Sequence, residues 1–108
     1  MSREIIGNFE LMVLLAVVRL DDRAYGVPIA ETISESSGRQ VLIGSVYAAL
    51  ERLQRKGFVT SALGEPSPER GGRAKRYFRI TGAGLREVRA TRRVLVALWR
   101  GLPNLQET

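Results

Sequence analysis

The chain has 108 residues, the size of a single domain, and its 44% hydrophobic and 26% charged content is that of a folded protein. It contains no cysteine and no histidine, which excludes disulfides, thiol and imidazole catalysis and most zinc sites. The net charge of +6 is unevenly distributed along the chain. Residues 1–51 carry four arginines against seven acids, whereas residues 52–108 carry thirteen basic residues against four acids. This concentration of basic charge favours a polyanionic partner such as nucleic acid.

The N-terminal half predicts a first helix that is apolar nearly all round. Asn8 is a suitable cap for a helix over Phe9–Leu20, which we expect to be central and buried. Its longest apolar run, Leu11–Val18, is too short to span a bilayer and lacks the layout of a signal peptide. We therefore expect a cytoplasmic protein.

Two further helices follow before the pattern changes. The second is predicted from Gly26 to Ser37, because Pro28 is tolerated in a first turn and Gly38 can close the helix. The third is predicted at about Ser45–Lys56, with Gly57 as its stop. Its inward positions at helical spacing are Val46, Ala49, Leu50 and Leu53.

The next segment predicts a hairpin. The β-rich runs Phe58–Leu63 and Lys75–Ile80 are separated by Gly64–Ala74, which contains two prolines and three glycines. Both faces of the second strand are amphipathic, and we favour Phe78 and Ile80 as its inward residues.

The last element is a long helix, predicted at about Gly82–Gly101 with Thr81 as its cap. Apolar residues recur along it at steps of three and four, interrupted by Arg92, and they predict a short seam for dimerisation. The seam consists of Leu85, Val88, Leu95, Trp99 and Leu102.

The predicted fold is α+β, mainly helical: a winged helix-turn-helix of three helices and a two-stranded wing, with a long C-terminal dimerisation helix. We expect residues 1–81 to form the winged-helix domain. Residues 82–103 form the dimerisation helix of the same unit, and residues 104–108 a flexible tail.

The third helix is the candidate recognition helix. Such a helix presents its N-terminal residues to base edges in the major groove, here Ser45, Tyr47 and Ala48. Arg52, further along, could pair with guanine or hold a phosphate. The alternative is a solvated helix face, with Tyr47 packed against the neighbouring helix.

The loop of the hairpin is strongly basic. Residues 69–76 place four cations around two glycines, and a thin arginine-bearing tip suits a narrow, negative minor groove. The alternative is an exposed charged loop that contributes only solubility.

Five short motifs, taken together, resemble the PadR-type transcriptional regulators over about residues 7–90. They are Tyr25-Gly26, Gly44-Ser-Val-Tyr47, Leu50-Glu-Arg-Leu53 with Gly57, Gly71-Gly-Arg-Ala-Lys-Arg-Tyr77 and Thr81-Gly-Ala-Gly84. Leu42 departs from the family, because many relatives have a polar helix cap there. Pro66-Ser-Pro68 in the wing is also an addition.

The resemblance implies a homodimeric regulator, usually a repressor, that binds a pseudo-palindromic operator in double-stranded DNA and in many members releases it on binding a small planar aromatic compound. It implies DNA contacts from Ser45, Tyr47, Gly72, Arg73 and Lys75. Trp99, the only tryptophan, then has two interpretations. It is an apolar anchor of the dimer, or it also stacks an aromatic effector across the two-fold axis.

Two other functions remain open at this stage. One is an RNA-binding module, although the chain offers no exposed aromatic ladder for stacking bases. The other is a winged-helix protein–protein adaptor. An enzyme is the least expected class, since no nucleophile or base is recognisable, and we predict no cofactor, no metal site and no membrane association.

Overall fold

The computed structural model describes residues 5–65 and 74–103. Its elements, in chain order, are α1 (Asn8–Leu20), a 3₁₀ helix (Asp21–Arg23), α2 (Gly26–Ser37), α3 (Ile43–Arg55), β1 (Val59–Leu63), β2 (Arg76–Ile80) and α4 (Gly82–Trp99). The predicted order of three helices, a hairpin and a long helix is confirmed. The proposed tail at 104–108 and most of the proposed wing tip lie outside the described residues.

Helix boundaries differ from the predictions by one or two residues. Asn8 belongs to α1 instead of capping it, and the flanking Gly7 offers no side chain for a cap. Helix α3 begins two residues earlier than predicted, at Ile43, and Leu42 provides no side-chain cap. Its first turn is closed by backbone alone, with the amides of Ser45 and Val46 donating to the Leu42 carbonyl at 3.1 and 3.2 Å.

Two predicted helix signals are confirmed. Gly38 adopts a left-handed conformation with φ 70° after α2, and its amide donates to the Ser34 carbonyl at 2.9 Å, as expected of a C-terminal glycine. Thr81 caps α4 by accepting from the Gly84 amide at 3.0 Å, and its hydroxyl donates to the Gly57 carbonyl at 2.7 Å. One threonine therefore fixes the start of α4 to the turn that follows α3.

The core lies between the three N-terminal helices and one face of the hairpin. β1 and β2 pair antiparallel, with Val59 opposite Ile80 and Leu63 opposite Arg76. Phe78 is buried and Ile80 packs against the core, so the favoured inward face of β2 is confirmed. The Phe78 amide donates to the Ala24 carbonyl at 2.8 Å, which fixes the wing to the connection before α2.

Helix α1 is buried on one side only, in contrast to the prediction of a wholly buried helix. Val13, Leu14 and Val17 are inaccessible or nearly so. Met12, Leu15 and Val18 remain 43 to 48% exposed, each three residues from the next. Their spacing places them on one face of the helix, which residues 5–65 and 74–103 leave largely uncovered.

Candidate nucleic-acid interface

Three of the four predicted recognition residues share one face of α3. Ser45, Ala48 and Arg52 are spaced by three and four residues and all are exposed. The opposite face of α3 is completely buried in the core through Val46, Ala49, Leu50 and Leu53. The helix is therefore held rigidly from behind, and its small residues Ser45 and Ala48 would allow a close approach to a groove.

Tyr47, the fourth predicted residue, leans onto the start of α2. Its ring lies so close to Gly26 that a Cβ added to that glycine would meet the Tyr47 Cζ and hydroxyl oxygen at 2.5 Å. The side chain is still 43% exposed. Tyr47 thus braces the two helices of the helix-turn-helix while part of its ring faces outward.

Arg52 is anchored by an acid from α1. Its Nε donates to Glu10 Oε2 at 2.7 Å, and Nζ of Lys56, the residue that follows α3, donates to Glu10 Oε1 at 2.8 Å. The Glu10 side chain is only 9% exposed, whereas that of Arg52 is 45% exposed. Both carboxylate oxygens accept a hydrogen bond, and nearly half of the Arg52 side chain remains exposed.

The pKa of Glu10 reflects this pairing. Burial alone would raise it, but the hydrogen bonds from Lys56 and Arg52 and their positive charges outweigh burial and hold the pKa below its ordinary value of 4.5. Glu10 is therefore a carboxylate at neutral pH. Near the N-terminal end of α1 it pairs with Arg52 of α3 and with Lys56, the residue that follows α3.

An aromatic cluster forms the base of the wing. The Tyr25 and Tyr77 rings meet edge to face with centroids 5.4 Å apart, and Lys75 Nζ lies 4.7 Å from the Tyr25 centroid. Of the predicted wing contacts, the structure describes only Lys75, which this cluster holds in place. Gly72 and Arg73 lie outside the described residues.

The predicted dimerisation seam divides into two parts. Leu85 and Val88 are half-buried, and Val88 packs against the chain's own core. Leu95, Trp99 and Leu102 are 42, 51 and 43% exposed. Within the predicted seam, the larger apolar exposure therefore lies in the C-terminal part.

Two kinds of site are not found in the described part of the chain. No group of three or more acidic side chains gathers within residues 5–65 and 74–103 where it could hold a metal ion. None of the helices in these ranges combines the length and apolar character that a bilayer crossing requires.

A family model, described as transcriptional regulator PadR-like family, matches residues 14–90. The match contains all of α2 and α3, the hairpin and the start of α4. The chain belongs to the PadR-like family. It is a DNA-binding transcription regulator and not an enzyme.

Solved structures of PadR-family proteins share this winged-helix fold. A PadR-like regulator from Bacillus cereus strain ATCC 14579 is 21% identical, with a TM-score of 0.73 over 93% of this chain and 92% of that chain. A PadR family regulator from Eggerthella lenta DSM 2243 is 24% identical, with a TM-score of 0.70 over 93% and 84%. One from Clostridium difficile R20291 is 22% identical, with a TM-score of 0.71 over 85% and 91%. The comparison with curated protein sequences returned no match.

Sequence reasoning missed two features of this PadR-like interface. The first is the pairing of Glu10 with Arg52 and Lys56. The sequence does carry a signal for it, because Glu10 is the only charged residue in the apolar run from Phe9 to Val18, and a charge in a buried run requires a partner. The Tyr25–Tyr77 contact joins residues far apart in the chain, and no local pattern indicates it.

Proposed function

We propose that this PadR-like regulator is a homodimeric repressor that binds a pseudo-palindromic operator in double-stranded DNA and releases it on binding a small planar aromatic effector. The observation that carries the proposal is the exposed α3 face of Ser45, Ala48 and Arg52, backed by a completely buried face and followed by a basic wing.

On DNA, α3 would lie in the major groove. Ser45 and Ala48 would approach base edges, and Arg52 would donate to guanine or to a phosphate. Tyr47, braced on Gly26, would contact the edge of the same groove with its exposed part. Gly72, Arg73 and Lys75 of the wing would contact the adjacent minor groove or its phosphates, where a narrow groove attracts arginine.

The proposed dimer supplies the second half-site contact. Helices α1 and α4 contact each other, and both leave large apolar side chains exposed in the single chain. A second copy would cover Leu95, Trp99 and Leu102, together with Met12 and Leu15 of α1, and would remove this apolar surface from water. A two-fold dimer would then place its recognition helices about 34–36 Å apart, one turn of DNA.

The proposed effector site lies within this dimer surface. Trp99, Leu95 and Val96 line a shallow hollow on α4 with Arg100 at its edge. Two such hollows facing each other would place two indoles where they could stack a flat aromatic molecule. Such a molecule would change the separation of the two recognition helices, and this would weaken operator binding.

The test is the recovery of duplexes from a genomic fragment library on the immobilised protein, followed by fluorescence anisotropy with the recovered sequence. We expect an inverted repeat, binding by two chains per repeat, and much weaker binding to a scrambled duplex of the same length. A preference for single-stranded RNA in a competition assay would support the RNA-binding alternative and contradict the proposal. Equal binding to every duplex would also contradict it.

A further inference from the structure

Glu10 is a buried acidic side chain that pairs with two basic residues of the candidate interface. It is the only acid among the buried residues in the described part of the chain, and it lies on α1, not on the predicted DNA-contacting elements. Its two oxygens accept from Arg52 Nε and Lys56 Nζ at 2.7 and 2.8 Å. Distances this short are typical of charge-assisted hydrogen bonds.

The contact with Nε determines which part of Arg52 faces outward. A guanidinium is planar and carries five N–H groups in a fixed fork. Among the described residues, Glu10 is the acceptor for Nε, and no acceptor is bonded to the two Nη groups. With Nε held by Glu10 and the Arg52 side chain 45% exposed, the Nη edge is the part left for a bidentate contact with guanine or phosphate.

The same contact lowers the net charge of this region. Two cations and one carboxylate leave a net charge of one where the cations alone would give two. The affinity of non-specific DNA binding increases with the number of cations near the phosphates. Glu10 therefore reduces such binding while it restricts Arg52 to one orientation, and both effects favour discrimination between sequences.

We propose that Glu10 is a positioning residue that sets the operator specificity of this protein, by holding Arg52 in a single DNA-contacting orientation and offsetting one of the two cations that it contacts. This rests on the proposed function, and it adds a specificity-determining residue outside both the recognition helix and the wing.

The test compares two affinities, one for the duplex that the wild-type protein selects from a random-sequence library and one for a scrambled duplex of equal length. Glu10→Gln keeps the size of the side chain and removes its charge. We expect its affinity for the selected duplex to fall about tenfold, the loss of one good bidentate contact. Its affinity for the scrambled duplex should be equal or higher, with a slope of log K against log salt steeper by about 0.9. A merely structural role would lower both affinities by the same factor and leave the slope unchanged.

Two surface variants keep the test independent of the folding of Glu10→Gln. Arg52→Lys retains the charge but removes the planar guanidinium. Its affinity for the selected duplex should fall by the same factor as that of Glu10→Gln, and its affinity for the scrambled duplex should not change. In combination with Glu10→Gln it should cause no further loss. Lys56→Gln leaves the Glu10–Arg52 pair intact and is the matched control. The loss of one cation should lower both affinities and make the salt slope shallower, without the selective loss of affinity for the selected duplex that Glu10→Gln shows.

Failure of the proposed function and failure of the inference about Glu10 give different results in this test. If the wild-type protein selects no common sequence, the proposed function is wrong and this inference falls with it. If a sequence is selected but Arg52→Lys, or folded Glu10→Gln, keeps the wild-type ratio, the inference alone is overturned.

Discussion

Replacement of Leu95 by glutamate tests the proposed dimer most sharply. Leu95 is 42% exposed in the single chain. Covering this exposed part in a dimer would stabilise the dimer by about 1 kcal/mol per protomer, or about 2 kcal/mol for both. A carboxylate at the same position would also have to be desolvated without a partner, at a cost of several kcal/mol per protomer. Together these effects should raise the dimer dissociation constant by at least about a thousandfold.

The assay is sedimentation velocity over a range of protein concentrations, with operator binding measured on the same samples. Ala97→Glu is the matched control, because it introduces the same charge two residues further along α4, on the other side of the helix, where Ala97 is exposed. We expect Leu95→Glu to be a folded monomer that does not bind the operator, and Ala97→Glu to remain a dimer. An intact Leu95→Glu dimer would show that the interface lies elsewhere.

Three further predictions concern stability and the wing. Gly84→Ala should lower the free energy of unfolding, measured by urea titration, by about 2–3 kcal/mol, because the added Cβ would collide with the Phe58 carbonyl oxygen. Gly82→Ala is the control, because a Cβ at Gly82 would make only an ordinary contact at 3.5 Å. The pKa of Glu10 is lower in the folded protein than its ordinary value of about 4.5 in the unfolded chain. Glu10 should therefore stabilise the fold above pH 4.5, and this stabilisation should be lost as the pH falls through the pKa of the folded state. A Glu10→Gln protein whose stability shows the same dependence on acid pH as the wild type would contradict this. Arg73→Ala should weaken DNA binding and reduce the slope of log K against log salt by about one, and an unchanged slope would count against wing–phosphate contact.

The fold was largely predictable because its signals are local. Apolar periodicity located the helices, Gly38 and Thr81 marked two of their ends, and the change to a β-rich pattern after Gly57 located the hairpin. The start of α3 was placed two residues late, since Leu42 gives no side-chain signal and the first turn is closed by backbone alone.

The candidate site was less predictable because its supporting contacts are not local. Glu10 and Arg52 are 42 residues apart in the chain, and their pairing depends on how α1 packs against α3. The exposed face of α1 was missed for a different reason. The sequence gives the same signal for an apolar residue that packs into the chain's own core and for one that a second molecule could cover. Only the packed fold distinguishes the buried Val13 from the exposed Met12.

The central claim, that the α3 face reads a specific DNA sequence in a two-fold dimer, is tested most directly by sequencing the genomic duplex fragments that the protein retains. The account predicts a shared inverted repeat whose half-site centres are about one helical turn, 10–10.5 base pairs, apart. Retained fragments that share no sequence, or a repeat whose half-sites lie on the same strand in direct orientation, would contradict it.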